Sequence, residues 1–290
     1  MKEAILYKQL NDNNIQCIAC NHRCTINEEG KGICFVRQNL HGKLYTLNYG
    51  KTAGLNIDPI EKKPLYHFMP GSRTYSFAAV GCNFRCPWCQ NWEIEQAPRL
   101  TKSIEGVEIS PEEHVKRALE AGCPSMPYTY TEPTVFVEYA LETMIIAQEK
   151  GLNNIWVTNG YMTRETLDKI TPYLDAANVD LKGYSDKVYG EYCGGKAKPV
   201  MDNLQFLYRE GVHVEITTLV VPGVNDEKEQ LEGIAGFIAR DLGTDVPWHI
   251  SRFYPAWEMQ GTPVTPIKTL KMAELIGKKA GLHYIHLGNV

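Results

Sequence analysis

Three cysteines, Cys82, Cys86 and Cys89, fall in the stretch AAVGCNFRCPWCQNWEI (78–94), close enough to converge on one point. Thiolates grouped in this way bind soft metals. Three is one short of the four ligands that a structural zinc ion takes, so the spacing leaves three kinds of centre open. One is zinc completed by a ligand from elsewhere. Another is a ferredoxin-like cluster with a distant fourth cysteine. The third is an iron–sulfur cube with one iron left open to substrate or cofactor, as a catalytic zinc leaves a position open.

A second group, Cys17-x2-Cys20-x3-Cys24-x9-Cys34, offers four thiols in a turn-rich stretch. Four thiols satisfy a tetrahedral zinc or an auxiliary iron–sulfur cluster, and His22 is able to stand in for one of them. A head with little core of its own gains from a metal staple, so a structural role is expected. Cys123 follows a helix-stopping glycine and reads as buried packing. Cys193 lies in the glycine-rich YGEYCGGKAKP, a loop where substrate could approach.

The elements that must position these groups are legible as well. A hydrophobic fraction of 43% and a charged fraction of 22% over 290 residues describe an ordinary folded protein with a sizeable core. The net charge of −4 offers no basic field for nucleic acid. No apolar run approaches the ~20 residues of a membrane helix. The opening MKEAILYKQLNDNN has no apolar secretory segment, so a cytoplasmic location is expected. In a reducing compartment the cysteines are thiols or metal ligands, and seven of the nine lie in the first third of the chain.

Residues 1–70 read as an irregular, cysteine-rich N-terminal extension with short strands around Leu44–Tyr49. Residues 71–290 read as alternating strands and helices. Strands are expected over 74–81, 125–131, 153–160, 176–183, 212–223, 246–255 and 283–288. Helices are expected over 110–122, 133–151, 163–174, 199–211, 226–242 and 266–281. Ser110 and Thr163 are placed to cap their helices, and His114 is expected on a solvent face. This alternation predicts an α/β fold with a parallel sheet curling into a partial (β/α)6 barrel, TIM-like, with its chemistry at the C-terminal strand ends. The three-cysteine loop follows the first strand directly.

With Trp88 immediately before the third cysteine, the loop resembles the C-x3-C-x-aromatic-C signature of the radical S-adenosylmethionine (SAM) superfamily. That resemblance implies a [4Fe–4S] cluster on Cys82, Cys86 and Cys89, its fourth iron chelated by SAM. It also implies reductive cleavage of SAM to a 5′-deoxyadenosyl radical and hydrogen abstraction from a substrate. An electron donor such as ferredoxin or flavodoxin is implied with it. Within the superfamily the chain looks most like glycyl-radical activating enzymes such as pyruvate formate-lyase activating enzyme, and like the radical SAM member of the AmmeMemoRadiSam grouping. Many members of that grouping continue past the equivalent of Leu287-Gly288-Asn289-Val290 into a further cysteine-bearing tail.

Further motifs carry the resemblance along the barrel. YTYTEPT (128–134) stands where the activating enzymes have Gly-Gly-Glu-Pro against the SAM amino group, so Tyr130 and Thr131 replace the glycines and Glu132 remains. VTNGY (157–161) and VDLKG (179–183) match the next strand ends, which implies SAM-binding roles for Asn159, Asp180 and Lys182. There the family holds a monovalent cation; Asp180 fits that site, but its second acidic position is Val157 here. VVPGVND (220–226) and HISRFYP (249–255) match later segments, with His249 the candidate for a histidine that approaches SAM. Trp88 completes the set of expected cofactor contacts. The substrate is open between a protein glycine and a small molecule or peptide. Apart from the resemblance, an electron carrier or metal-binding module without SAM also fits the cysteines.

Overall fold

The computed structural model describes residues 1–290. Its main sheet opens with one antiparallel strand, β1 (Gly54–Pro59), paired with β2 (Arg73–Ala78). Six further strands follow in parallel: β3 (Ser125–Tyr128), β4 (Asn153–Thr158), β5 (Ala176–Asp180), β6 (His213–Val220), β7 (Trp248–Arg252) and β8 (Ile285–Gly288). Each pairs with its neighbour in sequence order, and β8 does not meet β1. The sheet is therefore an open barrel of successive βα units, as the alternation predicts. No helix is long and apolar enough to cross a membrane.

The covering helices are α1 (Pro111–Glu120), α2 (Val137–Glu149), α3 (Arg164–Ile170), α4 (Ala197–Arg209), α5 (Lys228–Phe237) and α6 (Ile267–Ala280). Ser110 and Thr163 cap α1 and α3, accepting the N–H groups of Glu113 and Thr166 at 3.2 and 3.3 Å. Three helices are shorter than their sequence pattern. Pro133 opens α2 with a 3₁₀ turn, Pro172 converts the end of α3 into another, and α5 widens into a π turn over Ile238–Leu242.

His114 corrects one expectation. It is fully buried, stacked on Phe77 with centroids 3.9 Å apart. Its Nδ1 bonds the Tyr75 hydroxyl at 3.0 Å and its Nε2 the Tyr139 hydroxyl at 2.7 Å. Burial pushes its pKa down to about 3, so the ring is a neutral bridge in the α1–sheet interface. Leaving it unpaired there would cost about 1–3 kcal/mol, which is why both nitrogens find partners.

The extension shares one hydrophobic core with the barrel, since Leu6, Ile15 and Val36 join Phe84 and Val135 in the same cluster. The boundary at 70 falls between two paired strands, so the last part of the extension is structurally a barrel strand. The turn after β1 then closes the lower end of the barrel. Ile60 and Leu65 pack on Ile155 and Ala176, and Asn178 Nδ2 donates to the Pro64 carbonyl at 2.8 Å. Below the strand midpoints, Glu215 accepts the Tyr66 and His67 N–H groups at 3.1 and 2.8 Å.

Candidate functional site

At the opposite end, the C-terminal strand ends enclose a cavity of about 290 Å³. Cys82, Cys86 and Cys89 form part of its wall on the loop that leaves β2. The loop is held from several sides. Gln96 Nε2 donates to the Phe84 carbonyl at 3.2 Å, Arg85 N–H to the Cys193 carbonyl at 3.1 Å, and Glu258 N–H to the Pro87 carbonyl at 3.0 Å. The Phe84 N–H points at Cys82 Sγ, 3.4 Å away, a donor that favours negative charge on sulfur.

Burial pushes the Cys82 thiol well above its ordinary range, and the nearby Glu95 and Glu132 charges add to the effect. Cys89 moves the same way from burial and from Glu95, whose Oε2 lies 3.0 Å from its sulfur. Without a metal these thiols hold their protons, and ligation would have to release them. Glu95 was not singled out from the sequence. Burial raises its carboxyl to about 7, and its place six residues after Cys89 was the available signal.

Glu132 is the joint between two strand ends. Its Oε1 accepts the Thr134 N–H at 3.1 Å and the Thr134 and Thr158 hydroxyls at 2.5 and 2.8 Å; its Oε2 accepts the Asn159 N–H at 2.9 Å. Burial pushes its carboxyl up, against the pull of these donors. Asn159 carries the connection onward, donating from Nδ2 to Asn83 Oδ1 at 2.7 Å. Gly160 then turns out of β4 at φ +71°, where a Cβ would meet Val179 at 2.8 Å.

Tyr130 has φ +63°, the left-handed region that favours glycine. The side chain is anchored instead of small. Its hydroxyl donates to Asp58 Oδ2 at 2.8 Å, and Lys63 Nζ lies 3.1 Å from that hydroxyl and 2.9 Å from the same carboxylate oxygen. Burial alone would raise Asp58, but Lys63, Tyr130 and Lys62 hold it down to about 2. Thr131 donates its hydroxyl proton to the Ala79 carbonyl at 2.6 Å, which leaves its lone pairs free to accept.

Across the cavity, Lys182 Nζ donates to Asp180 Oδ2 at 2.8 Å. Burial opposes the Lys182 ammonium, yet Asp180 and the Cys86 and Cys193 sulfurs outweigh it and push its pKa well above the usual lysine range. A cation expected at Asp180 meets a carboxylate already paired with Lys182, and the Val157 side chain in the same cavity brings no oxygen.

Trp88, Tyr130, Thr131, Glu132, Asn159, Asp180 and Lys182 thus share one cavity with the three cysteines. His249 does not join them. Its Nε2 lies 2.6 Å from Glu215 Oε2, and its ring packs against Tyr66 and His286 in the lower barrel, so the candidate role beside SAM has no geometric support. Cys193 is also elsewhere than expected. It is fully buried under the turn that carries it and does not face open solvent.

Residues 78–233 match the Radical SAM superfamily. The chain is 44% identical over 290 residues to an uncharacterized protein of Methanocaldococcus jannaschii, covering 100% of this chain and 86% of that one. The chain belongs to the radical SAM superfamily. More distantly, it is 26% identical over 175 residues to the pyruvate formate-lyase-activating enzyme of Clostridium pasteurianum, covering 58% of this chain and 70% of that one. The fold is similar to a radical SAM methyltransferase from Sphaerobacter thermophilus, with a TM-score of 0.57 and 17% identity over 76% of this chain and 67% of that one.

The family implies a [4Fe–4S] cluster and SAM, and the residues fit both. Cys82, Cys86 and Cys89 are the thiols available to a cluster on the cavity wall. Asn83 Nδ2, next to Cys82, is buried without any partner, a donor suited to an anionic cluster. For the cofactor's amino acid end, acceptor oxygens on one side and the Lys182 ammonium on the other match an ammonium and a carboxylate.

Proposed function

We propose that this radical SAM enzyme removes a hydrogen atom from a glycine of a partner protein, in the manner of an activating enzyme. The observation that carries this reading is the run of strand-end motifs shared with such enzymes, Glu132-Pro133 and Asp180-Leu181-Lys182, gathered around the three cysteines in one cavity. When bound, the cluster and SAM supply the carbon-centred radical that takes the hydrogen atom.

The chain's own residues then have definite tasks. Cys82, Cys86 and Cys89 would hold the cluster and leave one iron open for SAM. Thr131 would accept the SAM ammonium, and Glu132 holds the β3 and β4 ends at a fixed separation beside it. Lys182, itself aligned by Asp180, would pair with the SAM carboxylate, while Asn159 fixes Asn83 beside Cys82. Trp88 covers the cavity wall next to Cys89 and excludes water. The electron comes from outside, from a ferredoxin or flavodoxin.

One observation favours a second reading. Lys62 and Lys63 line the cavity near Tyr130, a setting suited to a small anionic substrate. The test is anaerobic turnover with dithionite, SAM and a peptide carrying dideuterated glycine. Deuterium appearing in 5′-deoxyadenosine supports the glycine reading. Cleavage of SAM without deuterium transfer from any glycine peptide, but with transfer from a deuterated carboxylate or phosphate compound, contradicts it.

A further inference from the structure

We propose that Cys17, Cys20, Cys24 and Cys34 hold a second iron–sulfur cluster and not a zinc ion. The four sulfurs surround a small cavity between the extension and the start of α2, lined also by Gly32, Arg37 and Thr134. A single zinc would gather all four to about 3.8 Å from one another, given a Zn–S bond of about 2.3 Å in a tetrahedron. No three of the sulfurs come within 4.8 Å of one another. In a cluster that separation is expected, because an iron takes one cysteine in a [4Fe–4S] cube and two in a [2Fe–2S] rhomb, never three.

Arg37 supplies an independent sign of what fills the space. It is 2% exposed, and its Nη1 and Nη2 donate to Glu138 Oε1 and Oε2 at 3.1 and 2.5 Å. Its Nε is buried and has no partner. An arginine so deeply placed normally has every N–H satisfied, since each orphan costs about 1–3 kcal/mol. The guanidinium lines the same small cavity as the four sulfurs. A buried N–H left without a partner beside an anionic, sulfur-rich group is the kind of donor that tunes cluster potentials.

The site also lies against the SAM-cleaving loop. A Cβ on Gly81 would come within 2.8 Å of Val36 and 3.6 Å of the Cys34 carbonyl oxygen, so close packing there requires glycine. Adding the intervening bonds puts the Cα atoms of Cys34 and Cys82 within about 12 Å. His22, between Cys20 and Cys24, donates to the Asn83 carbonyl at 2.9 Å. The Cys17–Cys34 segment is thus fastened to the loop that carries Cys82.

The test uses the full chain with Cys82, Cys86 and Cys89 all changed to Ala, purified and reconstituted anaerobically with iron and sulfide. Iron, acid-labile sulfide and zinc are then counted. About two to four irons with matching sulfide, and a cluster signal on reduction, are expected. One zinc per chain without sulfide, or no metal, overturns the proposal. Should that variant fail to fold, the wild-type protein decides. More than about four irons per chain supports a second cluster, while about four irons with one zinc contradicts it. Arg37→Lys, measured in the same background, is expected to lower the potential of the retained cluster; an unchanged potential contradicts the Nε assignment.

Discussion

Glu132 Oε2 accepts the backbone N–H of Asn159 at 2.9 Å, which locks the end of β3 to the end of β4 beside the cysteine loop. The carboxylate has no room for a donor, because all four of its hydrogen bonds are accepted. Glu132→Gln therefore turns an amide NH₂ toward an N–H or hydroxyl. The variant is expected to lose about 1–3 kcal/mol in urea unfolding and to bind SAM at least tenfold more weakly by calorimetry.

Asp58 gives a pH-dependent prediction. Its folded pKa of about 2 lies below its ordinary value of 3.8, so its contribution is present above the ordinary value and is lost as pH falls through about 2. That depression of a little under two units, discounted for solvent screening of a partly exposed ion pair, corresponds to about 1–2 kcal/mol at pH 7. Asp58→Asn should show that deficit in urea melts at pH 7, and the gap to wild type should narrow steadily as pH falls from about 5.

Tyr130→Phe keeps the ring and removes the hydroxyl between Asp58 and Lys63. Those two still bond each other at 2.9 Å, so the expected loss is about 1 kcal/mol by thermal melting. A loss several times larger would mean that the phenol, not the ion pair, anchors the β3 end.

His249→Asn separates the lower barrel from the cavity. It removes one of the groups bonded to Glu215 and is expected to cost about 1–3 kcal/mol of stability. SAM cleavage in the reconstituted variant should stay within about twofold of wild type, measured as 5′-deoxyadenosine. A large loss of cleavage at unchanged stability would restore the histidine to the cofactor site.

The sequence revealed what repeats or clusters locally. Strand alternation located all seven parallel strands, and the spacing of Cys82, Cys86 and Cys89 with Trp88 led to the family. What stayed hidden depends on segments meeting from far apart. His114 sits on an amphipathic helix whose exposed-looking side is covered by Thr52 and Tyr139. His249 belongs to Glu215, and Tyr66 packs edge-on against it from a turn that no periodicity aligns with β7. The Lys63–Asp58–Tyr130 group joins the first and third strand regions, and its only local trace is a tyrosine where the resembled enzymes carry glycine. Cys193 looked like a loop thiol because the π turn that buries it over Tyr189–Cys193 has no simple sequence period.

The most direct measurement is 5′-deoxyadenosine formation by the anaerobically reconstituted protein with SAM and dithionite, beside Cys86→Ala and Cys193→Ala. Wild type and Cys193→Ala are expected to form the product, while Cys86→Ala loses both the iron of that cluster and the cleavage. Wild-type protein that carries its full iron and still yields no 5′-deoxyadenosine would contradict the account at its centre.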